Sequence, residues 1–369
     1  MKFERVYEKT NFITGLRAIA ILLVFLIHSG GGGLRQQSDA MSVFVDFGKY
    51  GVPMFFVISG FTIFYQFFEG RYTLRHFLFN RVSRISLPYF PILILLFLYV
   101  KLGGEQFVNW AIRLNEGEVS ITNILLHFSY LASFGLNYAN SIIGVEWLLN
   151  VEVFFYFIIG FLITKKLIQP QPFNILIWLL LSSLLAVVTI VVGYFSILNP
   201  LTVQWLPLRY GWMFILGGLG YFYRYKINST LSERSVSTLS NITIVSSVLI
   251  ILVLINFKSL NSISLLNEAI FATVTFLLLI FTRDSEKLTI ILTNKVMIFL
   301  GTISFSFYLL HYIVISSNIS SVLLGFSGVW ELFLSDLLLS ILISFFWYKI
   351  FEQLCYQKIK LLINYRLGK

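Results

Sequence analysis

The sequence predicts an all-α, polytopic integral membrane protein of about ten spanning helices, with both termini cytoplasmic. Three observations carry this. Of 369 residues, 57% are hydrophobic and only 12% charged, with mean hydropathy +0.84, whereas a soluble domain carries about 25% charged residues. Apolar runs of about 20 residues, long enough to cross a hydrocarbon core, recur along the whole chain. The loops between them alternate between strongly basic and nearly free of charge.

In chain order, the helices are expected at about 11–29, 42–68, 85–102, 144–164, 173–196, 206–224, 239–256, 265–282, 296–317 and 330–352. The first run is long, and no small-x-small cleavage site follows Leu26, so it reads as a membrane helix and not as a removed signal. Gly30 to Gly33 form an outer turn; no Gly-Lys-Ser follows, which excludes a phosphate loop. The third run follows a basic stretch with Arg71, Arg75, Arg81 and Arg84. Lys165 and Lys166 close the fourth, Arg224, Lys226 and Arg234 lie between the sixth and seventh, and Arg283, Lys287 and Lys295 between the eighth and ninth. The positive-inside rule places these loops, both termini and the basic tail 353–369 on the cytoplasmic side. The opposite side receives 103–143, within which 121–138 reads as a re-entrant or interfacial helix. The whole of 1–369 is expected to be one membrane-embedded domain.

Net charge +10 is explained by these loops; no basic, aromatic-interleaved soluble module is present to bind nucleic acid. The single Cys355 excludes an internal disulfide and a cysteine metal cluster, and no bound metal is expected. Polar groups at bilayer depth then become the informative residues, because each costs about 2.5–3.5 kcal/mol to insert and usually pairs inside a bundle. Arg17 and His28 are eleven residues apart on one apolar helix. They differ by about 20° in direction and are separated by roughly 16 Å along the axis, so both face one way. Glu152, Arg209 and His311 fall at the outer level of His28 in this topology. Glu152 is expected to pair with Arg209 or His28.

Five stretches, in this order and spacing, resemble the membrane-bound acyltransferase family 3, which includes polysaccharide O-acetyltransferases. They are "GLRAIAILLVFLIH" (Arg17, His28), "GVPMFFVISGF" (Ser59), "RVSRISLPYF" (Arg81, Arg84), "EWLLNVEVFFY" (Trp147, Glu152) and "ISFSFYLLH" (His311). Weaker echoes are "LRYGWMFILGG" at Arg209 and "YKIFEQ" at Glu352. Two departures stand out. Leu148 replaces a serine common in the family, and Pro88 lies four residues after Arg84 where three is usual.

The resemblance implies acyl transfer, most simply of acetyl from acetyl-CoA, to a hydroxyl of an extracytoplasmic glycan or polyprenyl-linked sugar. It places the protein in a bacterial-type plasma (inner) membrane. It implies that Arg81 and Arg84 bind the donor phosphates, since guanidinium forks suit bidentate phosphate binding. Ser59, beside Gly60, either leaves room for the pantetheine arm or serves close helix packing, and packing is the expectation. His28 is the expected base, or the group that is acylated and passes the acyl on. Arg17 binds a donor oxygen or the oxyanion, and Glu152 orients His28. Trp147, Arg209 and His311 line the acceptor side or channel, with His127 at its entrance. Each has a plainer alternative: lipid anchoring for the arginines, an interfacial side chain for His28, a counter-ion to Arg209 for Glu152, and a helix–helix hydrogen bond for His311. The rival function is a glycolipid or polysaccharide transporter or flippase. It predicts inverted repeats and matched helix breaks, which the sequence does not display.

Overall fold

A computed structural model describes residues 11–30, 33–70, 72–104, 119–135, 138–195, 200–230, 232–256, 264–282 and 287–358. Among these residues the regular structure is helical throughout. Each stretch expected to be a helix contains one, the expected 42–68 being divided by a 3-10 turn at Phe47–Tyr50: Asn11–Ser29, Gly51–Phe68, Leu74–Lys101, Trp147–Thr164, Pro172–Tyr194, Gly211–Thr230, Glu233–Asn256, Ser264–Phe281, Lys295–Ser316 and Val329–Trp347. Short helices Asp39–Asp46, Ile121–Phe128, Pro200–Trp205, Lys287–Leu292 and Ile319–Leu324 lie between them. Among the described residues, 7 helices are long and apolar enough to cross a membrane.

Local chemistry sets the boundaries. Ser38, Thr73 and Ser120 each sit in extended backbone and accept the amide of the residue three on, capping Asp39–Asp46, Leu74–Lys101 and Ile121–Phe128. The Thr73 cap starts the third long helix well before residue 85. Arg81 and Arg84 therefore lie inside this helix, which begins eleven residues before the start expected from hydropathy. A hydropathy window stops at polar residues, whereas a helix continues past the bilayer as long as its backbone is capped. Similarly, Arg224 belongs to helix Gly211–Thr230 and Arg234 to helix Glu233–Asn256.

The chain divides into two compact units: 1–71, 168–182 and 212–304 form the first, and 72–167, 183–211 and 305–369 the second. In the first, Gly51–Phe68 and Gly211–Thr230 cross with backbones in close approach. A Cβ on Gly60 would collide with the Phe214 carbonyl, and one on Gly217 with the Val57 carbonyl. Arg224 caps Ser264–Phe281: its Nη1 donates to the carbonyls of Leu279 (2.7 Å) and Thr282 (2.6 Å), and its guanidinium lies over the Phe12 ring. In the second unit, Leu74–Lys101 packs on Trp147–Thr164, and the Trp347 indole donates to the Pro88 carbonyl at 3.0 Å.

Burial sorts the spans. In their apolar 18-residue stretches Asn11–Ser29, Asp39–Phe68, Trp147–Thr164 and Lys295–Ser316 are each 61% buried, against 28% for Leu74–Lys101 and 17% for both Pro172–Tyr194 and Val329–Lys358. The buried spans are those that carry Arg17, His28, Ser59, Trp147, Glu152 and His311. Of the two most exposed spans, Pro172–Tyr194 carries no charged residue, as a lipid-facing helix requires.

Candidate functional site

Arg17, His28 and Ser59 belong to the first unit. Arg17 and His28 are both half-buried on the uninterrupted helix Asn11–Ser29, so helical geometry aligns them as expected. The end of this helix is held by Arg35. Its Nη2 reaches the Ile27 carbonyl at 3.5 Å, while its Nε donates to Asp46 Oδ1 at 3.0 Å. A cation at a helix C-terminus complements the macrodipole there, one residue from His28. Ser59 is buried beside Gly60, where the two backbones meet.

The remaining predicted residues fall in the second unit. Two of them, Arg81 and Glu152, are linked through Tyr156. The Arg81 guanidinium lies over the Tyr156 ring at 5.6 Å from its centroid, and the Tyr156 hydroxyl donates to Glu152 Oε2 at 3.2 Å. Arg81 and Glu152 are only 9% and 8% exposed, so both charges are buried. Arg84 differs from its neighbour. Three residues turn the helix by about 300°, and Arg84 is exposed while Arg81 points inward. The two arginines do not form an equivalent pair.

Trp147 and Arg209 converge on Tyr210, with ring centroids 5.3 Å apart for the indole and the guanidinium 5.4 Å from the Tyr210 ring. His311 is fully buried; its Nδ1 donates to the Phe307 carbonyl at 3.0 Å, one turn back on its own helix. The Phe307 ring stacks on it and Tyr308 lies beside it. Glu352, on the π-helical continuation Tyr348–Cys355, accepts from the amide (3.1 Å) and hydroxyl (2.6 Å) of Ser306.

The expectation that His127 lines an entrance is not met: its side chain is 0% exposed. Its Nδ1 donates to the Asn123 carbonyl at 2.9 Å, and its Nε2 faces Glu146 Oε1 at 3.1 Å. In the sequence Glu146 has the place of an ordinary acid at a helix start, just before an apolar run. In the structure it organises the segment before Trp147. One carboxylate oxygen accepts from the amides of Ile142 and Ile143, the other from those of Gly144 and Val145. Burial pushes the Glu146 carboxyl up, but the His127 hydrogen bond and charge and the backbone amides outweigh it and hold it below the usual carboxylate range. The same segment is tied to the bundle where the Tyr308 hydroxyl donates to the Val145 carbonyl.

Among the described residues, no three His, Cys, Asp or Glu side chains gather as a metal site. The arrangement offers a buried cation, a buried carboxylate and several phenols. No curated protein and no solved structure matches the chain. The model of the acyltransferase domain family, acyltransferase family 3, matches residues 10–351, and the chain belongs to that family.

Proposed function

We propose that this acyltransferase moves an acetyl group from cytoplasmic acetyl-CoA to a hydroxyl of an extracytoplasmic or polyprenyl-linked glycan, in a bacterial-type plasma membrane. The observation that carries the reading is the linked set Arg81, Tyr156 and Glu152 in a member of an acyltransferase family. A buried guanidinium is costly unless it serves an anion, and Arg75, His76 and Arg84 add positive or titratable groups along the same helix.

In this reading Arg81 and Arg84 hold donor phosphates, and Ser59 borders the donor arm. Arg17 polarises the thioester carbonyl. His28 accepts the proton of the acceptor hydroxyl as its oxygen attacks the carbonyl carbon. The new C–O bond forms, the C–S bond breaks, and CoA leaves as the thiol with that proton. Glu152 supports the buried cation Arg81 through Tyr156. Trp147, Arg209 and His311 line the acceptor side. The test is thiol release from acetyl-CoA by the purified protein in nanodiscs, with and without a lipid-linked glycan preparation. Release that depends on the protein and rises with acceptor is expected. Unchanged acetyl-CoA under both conditions would remove the reading.

A further inference from the structure

Tyr89 lies on Leu74–Lys101 eight residues beyond Arg81. Arg81, Ile85 and Tyr89 follow one i, i+4, i+8 ridge, and all three are buried, at 9%, 4% and 0% exposure. The ridge runs from the proposed phosphate contact toward the outer leaflet, a rise of about 12 Å, which a pantetheine arm can span. The Tyr89 ring sits 5.9 Å from that of Tyr130, and Glu146 and Tyr308 lie within electrostatic range of it.

The surrounding polar groups are already committed. The Tyr130 hydroxyl bonds Ser86 at 2.7 Å, that of Tyr308 donates to the Val145 carbonyl, and that of Tyr156 donates to Glu152. Both Glu146 oxygens accept two backbone amides each. The Tyr89 hydroxyl is buried and, among the described residues, has no hydrogen-bond partner. Leaving such a group unsatisfied is unfavourable, and an acceptor oxygen on a bound ligand would relieve that cost.

We infer that the Tyr89 hydroxyl donates a hydrogen bond to a carbonyl oxygen of the acyl donor. This rests on the acyl-transfer reading above. Two oxygens of one chemistry qualify: the thioester carbonyl, which becomes an oxyanion on attack, and an amide carbonyl of the pantetheine arm. In either case the phenol keeps its proton, and no bond to Tyr89 forms or breaks.

The test is Tyr89→Phe, which deletes one oxygen, with Tyr130→Phe as comparator. In nanodiscs, Tyr89→Phe should melt at or above the wild-type temperature, because it removes an unsatisfied group. Tyr130→Phe should melt lower, because it breaks the bond to Ser86. Acyl transfer by Tyr89→Phe should fall. A drop of about 10²-fold in kcat at unchanged KM for acetyl-CoA identifies the thioester oxygen. A raised KM at unchanged kcat identifies the pantetheine amide. Unaltered kcat and KM would show that the hydroxyl serves no substrate, and a lowered melting temperature would show a partner within the protein; either overturns the inference. Thiol release by wild type is measured alongside. Its absence would defeat acyl transfer itself, whereas its presence with an indifferent Tyr89→Phe defeats only the role of Tyr89.

Discussion

His127 Nε2 and Glu146 Oε1 are 3.1 Å apart with both side chains 0% exposed, and they are 19 residues apart in the chain. Nδ1 must donate, since it faces the Asn123 carbonyl, which only accepts. The carboxylate already gathers four backbone amides. This arrangement fixes the segment before Trp147, and with it the start of the helix that carries Glu152.

Glu146→Gln should therefore destabilise the protein by about 3–5 kcal/mol, the usual cost of breaking a buried pair. The Glu146 carboxyl is held below its ordinary value of 4.5, so its contribution is full above that pH and is lost as pH falls below it. Thermal unfolding followed from neutral to acidic pH should show this acid loss in wild type. Glu146→Gln should start lower and lack that component. Equal acid sensitivity in both proteins would contradict the role given to the carboxylate.

The unlike settings of Arg81 and Arg84 predict unlike variants. Arg81→Ala should raise the KM for acetyl-CoA by an equivalent of about 1.5–3 kcal/mol. Lysine should restore it only in part, because it lacks the planar fork. Arg84→Ala should have a smaller effect that fades with added salt, as solvent-exposed charges do. Steady-state kinetics at two ionic strengths measure both. Identical behaviour would mean that burial of Arg81 has no bearing on the donor.

For His28→Ala, the expected protein folds and still binds acetyl-CoA, but transfers acetyl about 10²–10⁴-fold more slowly, the range for loss of a general base. Arg17→Ala should weaken donor engagement as well as slow transfer. Acetyl-CoA binding and glycan acetylation, measured on the same purified variants, separate the two defects. An acetyl adduct on His28 in wild type given acetyl-CoA alone would identify a covalent route in place of direct transfer.

Sidedness is checked by labelling. In a Cys355→Ser background, His76→Cys should be protected from an impermeant thiol reagent in intact cells, and Ser129→Cys should react. Both positions are exposed on the protein surface. The reverse pattern would invert the topology inferred from loop charge, and with it the sides assigned to donor and acceptor.

Hydropathy and periodicity are local properties, and what depends on them was legible in the chain. The apolar runs mark the helices because a lipid-exposed backbone must satisfy its own hydrogen bonds. The angle between Arg17 and His28 follows from helix geometry alone. The early start of Leu74–Lys101 was in principle visible too, in Thr73 followed by residues that tolerate a helix, but polar content hid it. What a buried polar side chain touches was not legible, because its partner lies elsewhere in the chain. Tyr308 meets the Val145 carbonyl across 163 residues, and Trp347 meets that of Pro88 across 259. Arg81 and Arg84 read alike in the sequence; only the packing of Leu74–Lys101 on Trp147–Thr164 turns one inward over Tyr156 and leaves the other in solvent. Glu146 looks like an ordinary acid before a helix until the backbone from Ile142 to Val145 folds back and aims four amides at it. A buried charge persists only where such partners converge, and that convergence belongs to the tertiary structure.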